Sequence, residues 1–499
     1  MSSLIDWTTT VSRFVAHWLW RAFVVVIGLC LAIALGFTLY AVNALPPLQP
    51  WHTERLDGEF SSWKDAGLDF DGYLRLEEEL FDELRAKVAT WPQDEAFAHS
   101  RFNPNGAINR LAAGAAYNRS FRLSVEAPVG AALLLHGLTD SPYSMKAMAD
   151  ALHARGFDVT VLRLPGHGTL PSMMVEMTFR DWTAAMHLAA RAAAAHAPAG
   201  KPFYIGGYST GATLSLLYAL ESLGDSTLRR PDRVLLLSPA IELTRVAALA
   251  NIIDIASIVP VPVLEKVRWQ ELVAEYDPYK FNSFPVNASR QVNRATSALQ
   301  RALARARDSG RIAQMPPVAA WQSVVDATVG SRGTVEVLFA ALQGAQHQLI
   351  LFDVNRSESF RSVQRPAAHA LIERTVREPR SYTLDVVTNL DPRHEQVVVQ
   401  RPSPDGGPQQ LTTGLAWPRD LVSLGHVALP FPPDDPVYGF LPGSGRDGIP
   451  SIGSWLLRGE TGATTISLGA LTRLRSNPFW SLIERQIDEQ ITADLERTR

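Results

Sequence analysis

Five residues, Gly207-Tyr208-Ser209-Thr210-Gly211, spell G-x-S-x-G. A short apolar run, Phe203 to Ile205, leads into them, and an apolar helical run, Ala212 to Leu223, leads out. That context puts a serine on a sharp strand-to-helix turn. The flanking glycines remove side chains that would strike the neighbouring strand and helix. The turn exposes the Ser209 hydroxyl and aims the Thr210 amide at the same space. The helix N-terminus behind it favours negative charge there. This is chemistry for nucleophilic attack on a carbonyl, with a place for the oxyanion that results. For so short a pattern, an ordinary glycine-rich turn is the plain alternative.

A serine nucleophile needs a base within hydrogen-bond reach and an acid to orient that base. On elbows of this kind the chain order is serine, acid, histidine. Asp326 follows the strand-like run Pro317 to Val325 and is the first acid in the right place. Asp353, after the next strand, competes with it, and a simple turn carboxylate is the plain reading of either. Downstream histidines are His347, His369, His394 and His426. His347 opens a strand, the wrong end for this chemistry. His369 lies on a polar, helical stretch. His394 sits on the shoulder of a hairpin. His426 follows Leu421-Val422-Ser423-Leu424-Gly425 and precedes a proline-rich loop, a placement that suits a histidine held over a sheet edge.

An oxyanion hole needs two donors. The Thr210 amide is one. The loop after the strand Ala131 to Leu135 should give the other, and the Leu138 amide, after His136-Gly137, is the candidate. His136 then reads as a residue that fixes this loop. There is no H-E-x-x-H, no phosphate-binding G-x-x-x-x-G-K and no cysteine cluster, so neither a metal nor an organic cofactor is expected.

The elements that must position these residues follow from composition and periodicity. The chain has 499 residues, 46% of them hydrophobic and 19% charged, enough for a large core. A net charge of −3 leaves no footprint for nucleic acid. The single cysteine, Cys30, lies in an uncharged run, Ala22 to Val42, long enough to cross a membrane as a helix. Arg13 and Arg21 before it favour an N-terminus inside and a body outside the cytoplasm. A cleaved secretory signal is the rival reading, with Val42-Asn43-Ala44 as its cleavage site, but the length favours an uncleaved span. Asp69 to Ala89 carries an amphipathic helical pattern. From Phe121, strands alternate with helices, which predicts an α/β fold with a mostly parallel central sheet and helices on both faces. Residues 241–315 interrupt the alternation and read as a helical cap, with helices over Ala247–Ile258 and Ala295–Arg307. Ser381–Val387 and Glu395–Gln400 read as a late β-hairpin insertion, antiparallel to the sheet or beside it. Pro402 to Gly414 reads as a polar loop. The divisions are 1–21, a cytoplasmic N-terminus; 22–42, the transmembrane helix; 43–118, linker and helical preface; 119–240 and 316–356, the two parts of the core; 241–315, the cap; 357–415, the hairpin insertion; and 416–499, the histidine loop and C-terminal region.

Three segments carry a family resemblance. Leu133-Leu134-Leu135-His136-Gly137-Leu138-Thr139-Asp140-Ser141-Pro142, Leu162-Arg163-Leu164-Pro165-Gly166-His167-Gly168-Thr169 and the Ser209 pentapeptide resemble α/β-hydrolases of the serine aminopeptidase and monoacylglycerol lipase type. Glu275-Tyr276-Asp277-Pro278-Tyr279-Lys280-Phe281-Asn282-Ser283-Phe284-Pro285 is similar to a cap segment of bacterial members. The likeness spans Phe121 to Val329. It implies an α/β-hydrolase fold, a Ser209–Asp326–His426 triad, and the Leu138 and Thr210 amides as oxyanion donors. It also implies action on small or lipid-like esters, with no cofactor; amide hydrolysis or acyl transfer on the same triad is the first alternative, and a non-catalytic binding protein on the hydrolase fold is the second, disfavoured by a nucleophile, acid and base in chain order. The chain departs from simple members after Asp326, where the histidine should follow one helix and one strand later. The insertion accounts for the excess. Ser423-Leu424-Gly425-His426-Val427-Ala428-Leu429-Pro430 is similar to the histidine segment of membrane-anchored bacterial relatives.

Overall fold

The computed structural model describes residues 2–112, 117–242, 265, 266, 268–362, 364, 365, 367–403, 406–446, 448–454 and 473–497. The chain opens with helix α1 (Ser2–Ala44). Its window Ala16–Phe37 has a mean hydropathy of 2.3, is buried by nothing else in the chain, and is long and apolar enough to cross a membrane. The predicted span, 22–42, lies in the same helix, and the most apolar window begins earlier, at Ala16. Beyond Pro46 and Pro47 the chain docks at once. The Lys266 ammonium donates to the Leu45 carbonyl at 3.1 Å, and His52 Nε2 lies 3.0 Å from Ser283 Oγ. Trp51 stacks on Phe102 at 5.3 Å between ring centres.

The expected amphipathic preface is α2 (Phe70–Val88), capped by Asp69, whose carboxylate accepts from the Gly72 amide at 2.7 Å. Leu80 packs with Trp51, Trp91, Phe97, Phe102 and Leu170 in a satellite core. A buried ion-pair network joins the preface to the main sheet. Arg163 bonds Glu59 at 3.0 Å and Glu77 at 3.1 Å, and its carbonyl accepts from Tyr73 Oη at 2.6 Å.

The main sheet has ten strands: β1 (Phe121–Leu123), β2 (Gly130–Leu135), β3 (Phe157–Leu162), β4 (Phe203–Tyr208), β5 (Arg233–Leu237), β6 (Val318–Ser323), β7 (Gln348–Phe352), β8 (Thr383–Asn389), β9 (Gln396–Ser403) and β10 (Gly406–Ala416). Their spatial order is β1-β3-β2-β4-β5-β6-β7-β8-β9-β10. From β3 to β8 every neighbour is parallel. β2, β4 and β5 are buried along their whole length, which is why they read as continuous apolar runs rather than alternating ones. Each fully buried leucine contributes roughly 2 kcal/mol of transfer free energy.

Helices cover both faces. One face packs α4 (Phe179–His196), α5 (Thr210–Ser222) and α6 (Val286–Asp308) against Leu133, Ile205 and Leu236. Ala185, Ala189 and Ala193 let α4 approach the sheet closely. The other face packs α3 (Lys146–Ala154) and α8 (Trp480–Arg497) against Leu134, Tyr204 and Trp321.

Two expectations need correction. The expected hairpin forms, with β8 and β9 antiparallel to each other, but it is neither antiparallel to the sheet nor beside it: reached through helix α7 (Ala367–Arg377), β8 pairs in parallel with β7, and β10 follows β9 as a further antiparallel strand. The described residues of the segment read as a polar loop, Pro402 to Gly414, fall within β9 and β10. The helix expected over Ala295–Arg307 is part of α6, which packs on α5 and α4, and its Val292, Leu299 and Leu303 belong to the same core cluster as that face of the sheet. Ala247–Ile258, the other expected cap helix, lies outside the described residues.

Candidate active site

The strand order reverses its course at β2 and β4: the chain leaves β2 toward β3 on one side and leaves β4 toward β5 on the other. A crevice opens at the carboxyl ends of strands at such a switch point. Ser209 stands at the end of β4 and the loop His136–Pro142 at the end of β2.

Ser209 has φ 54° and ψ −115°, a strained conformation for a residue with a side chain. Strain of this kind costs on the order of 1–3 kcal/mol and persists only when the surroundings fix it. Here the Ser209 amide donates to the Leu237 carbonyl at 2.9 Å, and the Ser209 carbonyl accepts from the Ala240 and Thr213 amides, each at 3.2 Å. The two glycines are required by close approach. A Cβ on Gly211 would lie 2.0 Å from the Leu135 carbonyl oxygen, and one on Gly207 would lie 2.4 Å from the Gly211 carbonyl carbon. Thr210 is the first residue of α5, so its amide has no partner within the helix.

Asp326 and His426 meet directly, with His426 Nδ1 2.8 Å from Asp326 Oδ2. Asp326 lies in the turn just beyond β6 and is buried. Its other oxygen accepts from the Thr328 and Val329 amides at 2.8 and 3.1 Å, and Gln322 Nε2 donates to Oδ2 at 3.0 Å. Burial alone would raise its pKa, but the facing imidazole and the two amides overcome that and hold the carboxyl at about 2. A carboxylate that stays ionised at neutral pH can keep the Nδ1–H tautomer of the histidine and leave Nε2 free as a base.

Ser209 reaches this pair through its neighbour. Tyr208 Oη donates to the His426 carbonyl at 3.3 Å, and the two rings lie 4.9 Å apart. Among the described residues, no hydrogen bond joins Ser209 Oγ to the imidazole.

The other histidines and the rival acid have different partners. His347 accepts from the Val318 amide at 3.2 Å and packs at the start of β7. His394 is exposed and pairs with Asp391. Asp353 binds Thr388 at 2.9 Å and Arg356, with His369 at 3.9 Å.

The loop carrying Leu138 is fixed by its histidine. His136 Nδ1 donates to the Gly137 carbonyl at 2.8 Å, and its Nε2 accepts from the Leu164 amide at 2.9 Å. Both nitrogens are used, and burial drives the pKa well below the ordinary value, so the ring is neutral. Sequence reasoning gave no role to Asp140 or Lys280, although both lie in the quoted segments. Asp140 is buried, close to Gly137 and the Tyr208 ring, and Lys280 reaches it at 3.6 Å. The Phe281 amide donates to the Thr139 carbonyl at 2.8 Å. Thus the segment 275–285 braces the loop after β2. Thr139 has φ 64°, a non-glycine residue in left-handed backbone that hints at such bracing. Among the described residues, no group of three or more His, Cys, Asp or Glu side chains is arranged to hold a metal ion.

Residues 126–353 match the profile of the family described as serine aminopeptidase, S33. A thermostable monoacylglycerol lipase of Bacillus sp. strain H-257 is 46% identical over 59 residues, which cover 12% of this chain and 23% of the relative. That stretch spans under a quarter of the relative's length. Solved structures that resemble the chain include a metagenome-derived lipolytic enzyme of the LipS and LipT study, at 21% identity over 48% of this chain and 88% of that one, with a TM-score of 0.37. The monoacylglycerol lipase of Paleococcus ferrophilus is 17% identical over 52% of this chain and 98% of that one, with a TM-score of 0.33. Residues 126–353, a little under half of the chain, are thus similar to the serine aminopeptidase S33 family, and the fold is that of an α/β-hydrolase enlarged on both sides of that stretch.

Proposed function

We propose that the protein is a serine hydrolase of carboxylic esters, with Ser209 as nucleophile, His426 as base and Asp326 as the acid that orients it. The observation that supports this reading is the buried Asp326–His426 bond, whose histidine also contacts Tyr208, the residue before the strained serine. Ser209 Oγ attacks the ester carbonyl while His426 Nε2 takes its proton. The Thr210 and Leu138 amides hold the oxyanion, and each such donor is worth roughly 3 kcal/mol. His426 returns the proton to the departing alkoxide. Water, deprotonated by the same imidazole, then releases the acid from Ser209.

The monoacylglycerol lipase relative supports lipid-like esters as the substrate class. The family description, serine aminopeptidase, favours amide cleavage as the second reading. Turnover of p-nitrophenyl acyl esters against aminoacyl-nitroanilides separates the two. The ester reading fails if only the anilides react. A fluorophosphonate probe should label wild type and not Ser209→Ala; equal labelling of both would overturn the assignment of the nucleophile.

We also infer a single-pass anchor through α1, with the body in the periplasm of a bacterial cell. Arg13 and Arg21 ahead of the apolar window support that orientation. Protease added to spheroplasts should digest the body; full protection would reverse the orientation.

A further inference from the structure

A second cleft lies between the preface and the core, away from Ser209. Its volume is about 650 Å³, within the range of small-molecule sites. Phe81, Leu84, Val88, Phe97 and Phe102 make an apolar wall. Arg101, Asn118 and Thr169 also line it. None of the residues placed in the candidate triad or oxyanion hole does.

Arg101 is buried, which is costly for a cation without full compensation. Its Nη2 donates to Asn118 Oδ1 at 3.0 Å, and Asn118 Nδ2 in turn donates to the Pro278 carbonyl at 3.0 Å, so the guanidinium is held in place. Among the described residues, its Nη1 has no hydrogen-bond partner. The hydroxyl of Thr169, also buried, has none either. Two acids are near Arg101 and neither bonds its guanidinium, although Asp277 Oδ2 has no hydrogen-bond partner among the described residues. The Glu275 carboxylate accepts from the Asn282 and Ser283 amides, and Asp277 accepts from Tyr438 Oη at 2.6 Å. Burial pushes Glu275 up to about 7, against the pull of the Arg101 charge. An apolar trough with an under-satisfied arginine and hydroxyl is complementary to an acyl chain that ends in an anion. Its wall is continuous with the ring of Trp51, which the chain reaches soon after leaving α1.

We propose that this cleft binds a single-chain amphiphile with an anionic head, carboxylate or phosphate, with the chain along Leu84, Val88 and Phe97 and the head on Arg101 and Thr169. The site is independent of the proposed esterase chemistry, because it uses none of its residues.

The test is titration calorimetry on full-length Ser209→Ala, with dodecanoate, dodecyl phosphate and dodecyltrimethylammonium as probes. One or both anions should bind with one site per chain, and the tighter of the two names the head. The cation should bind at least about tenfold more weakly. Adding Arg101→Met should weaken anion binding about tenfold or more. Leu84→Trp, on the half-buried face of α2, should block the chain and keep the fold, as a thermal melt will show. The proposal is overturned if neither anion binds, if the cation binds as well as the anions, or if Leu84→Trp leaves the affinity unchanged. Hydrolysis of p-nitrophenyl acetate by Leu84→Trp with Ser209 intact should stay at the wild-type level, so failure here and failure of the esterase reading are told apart.

Discussion

His426 lies 2.8 Å from Asp326 although 100 residues separate them. The intervening insertion is tied off at its base. Val354, just after β7, forms an antiparallel bridge with Ser423. The Asn355 amide donates to the Val422 carbonyl at 2.8 Å, and its side chain donates to the Leu421 carbonyl at 3.0 Å. The chain thus leaves the end of β7 and returns to the same place, and His426 sits as though the strand ran directly into its loop.

Asn355→Ala tests this tie. Removing the buried amide should lower stability by about 1–3 kcal/mol. It should also lower kcat on a p-nitrophenyl ester about ten- to a hundredfold by loosening the imidazole, with KM little changed. Urea unfolding and steady-state kinetics on one preparation check both. A loss of stability with full kcat would mean that the tie does not position His426.

Asp326 sets an acid limit. Its folded value, about 2, lies below the ordinary 3.8, so the carboxylate is stabilised by folding. That contribution is complete above the unfolded value. It is lost as the pH falls from there through about 2, and amounts to roughly 2 kcal/mol. The difference in unfolding free energy between wild type and Asp326→Asn should therefore shrink between about pH 4 and pH 2. The same variant should lose about three to four orders of magnitude in kcat at neutral pH.

Gly211→Ala should be among the most damaging single-methyl changes in the core. The added carbon falls 2.0 Å from a backbone oxygen that cannot rotate away. A loss above about 3 kcal/mol is expected. Gly425→Ala, beside His426, meets nothing within 4 Å and serves as the control. It should stay within about 0.5 kcal/mol of wild type.

Arg163→Met should cost about 3–5 kcal/mol, because Glu59 and Glu77 would be left buried without their cation. Neutralising both acids in the same chain should restore part of the loss. Arg163→Lys should not, since a compact ammonium lacks the planar fork whose three nitrogens span Glu59, Glu77 and the His167 carbonyl. Chemical denaturation of wild type and the three variants decides it.

The core was legible because its signals are local. Leu133-Leu134-Leu135, Val234 to Leu237 and the Ser209 pentapeptide each announce a buried strand or a tight turn within a few residues. The strand β10 announced nothing, since Gly406, Pro408, Gln409 and Gln410 suit a loop equally well. It becomes a strand through its partner, with Leu411 opposite Val399 and Thr412 opposite Val398. Likewise the face of α6 that bears Val292 and Leu299 fits a cap or a sheet, and only the tertiary packing chooses. The partners of Arg163 and the bracing of Asp140 join residues far apart in sequence, and no periodicity encodes such pairs.

The short passage from α1 to the body has a kinetic consequence. Only Leu45 to Pro50 separate the end of α1 from the docked Trp51, a reach of at most about 21 Å. With α1 embedded in a bilayer, the crevice would search a two-dimensional reservoir at a fixed standoff. Turnover of a lipid ester would then follow its mole fraction in the membrane, and diluting the vesicles with buffer would leave the rate per enzyme unchanged.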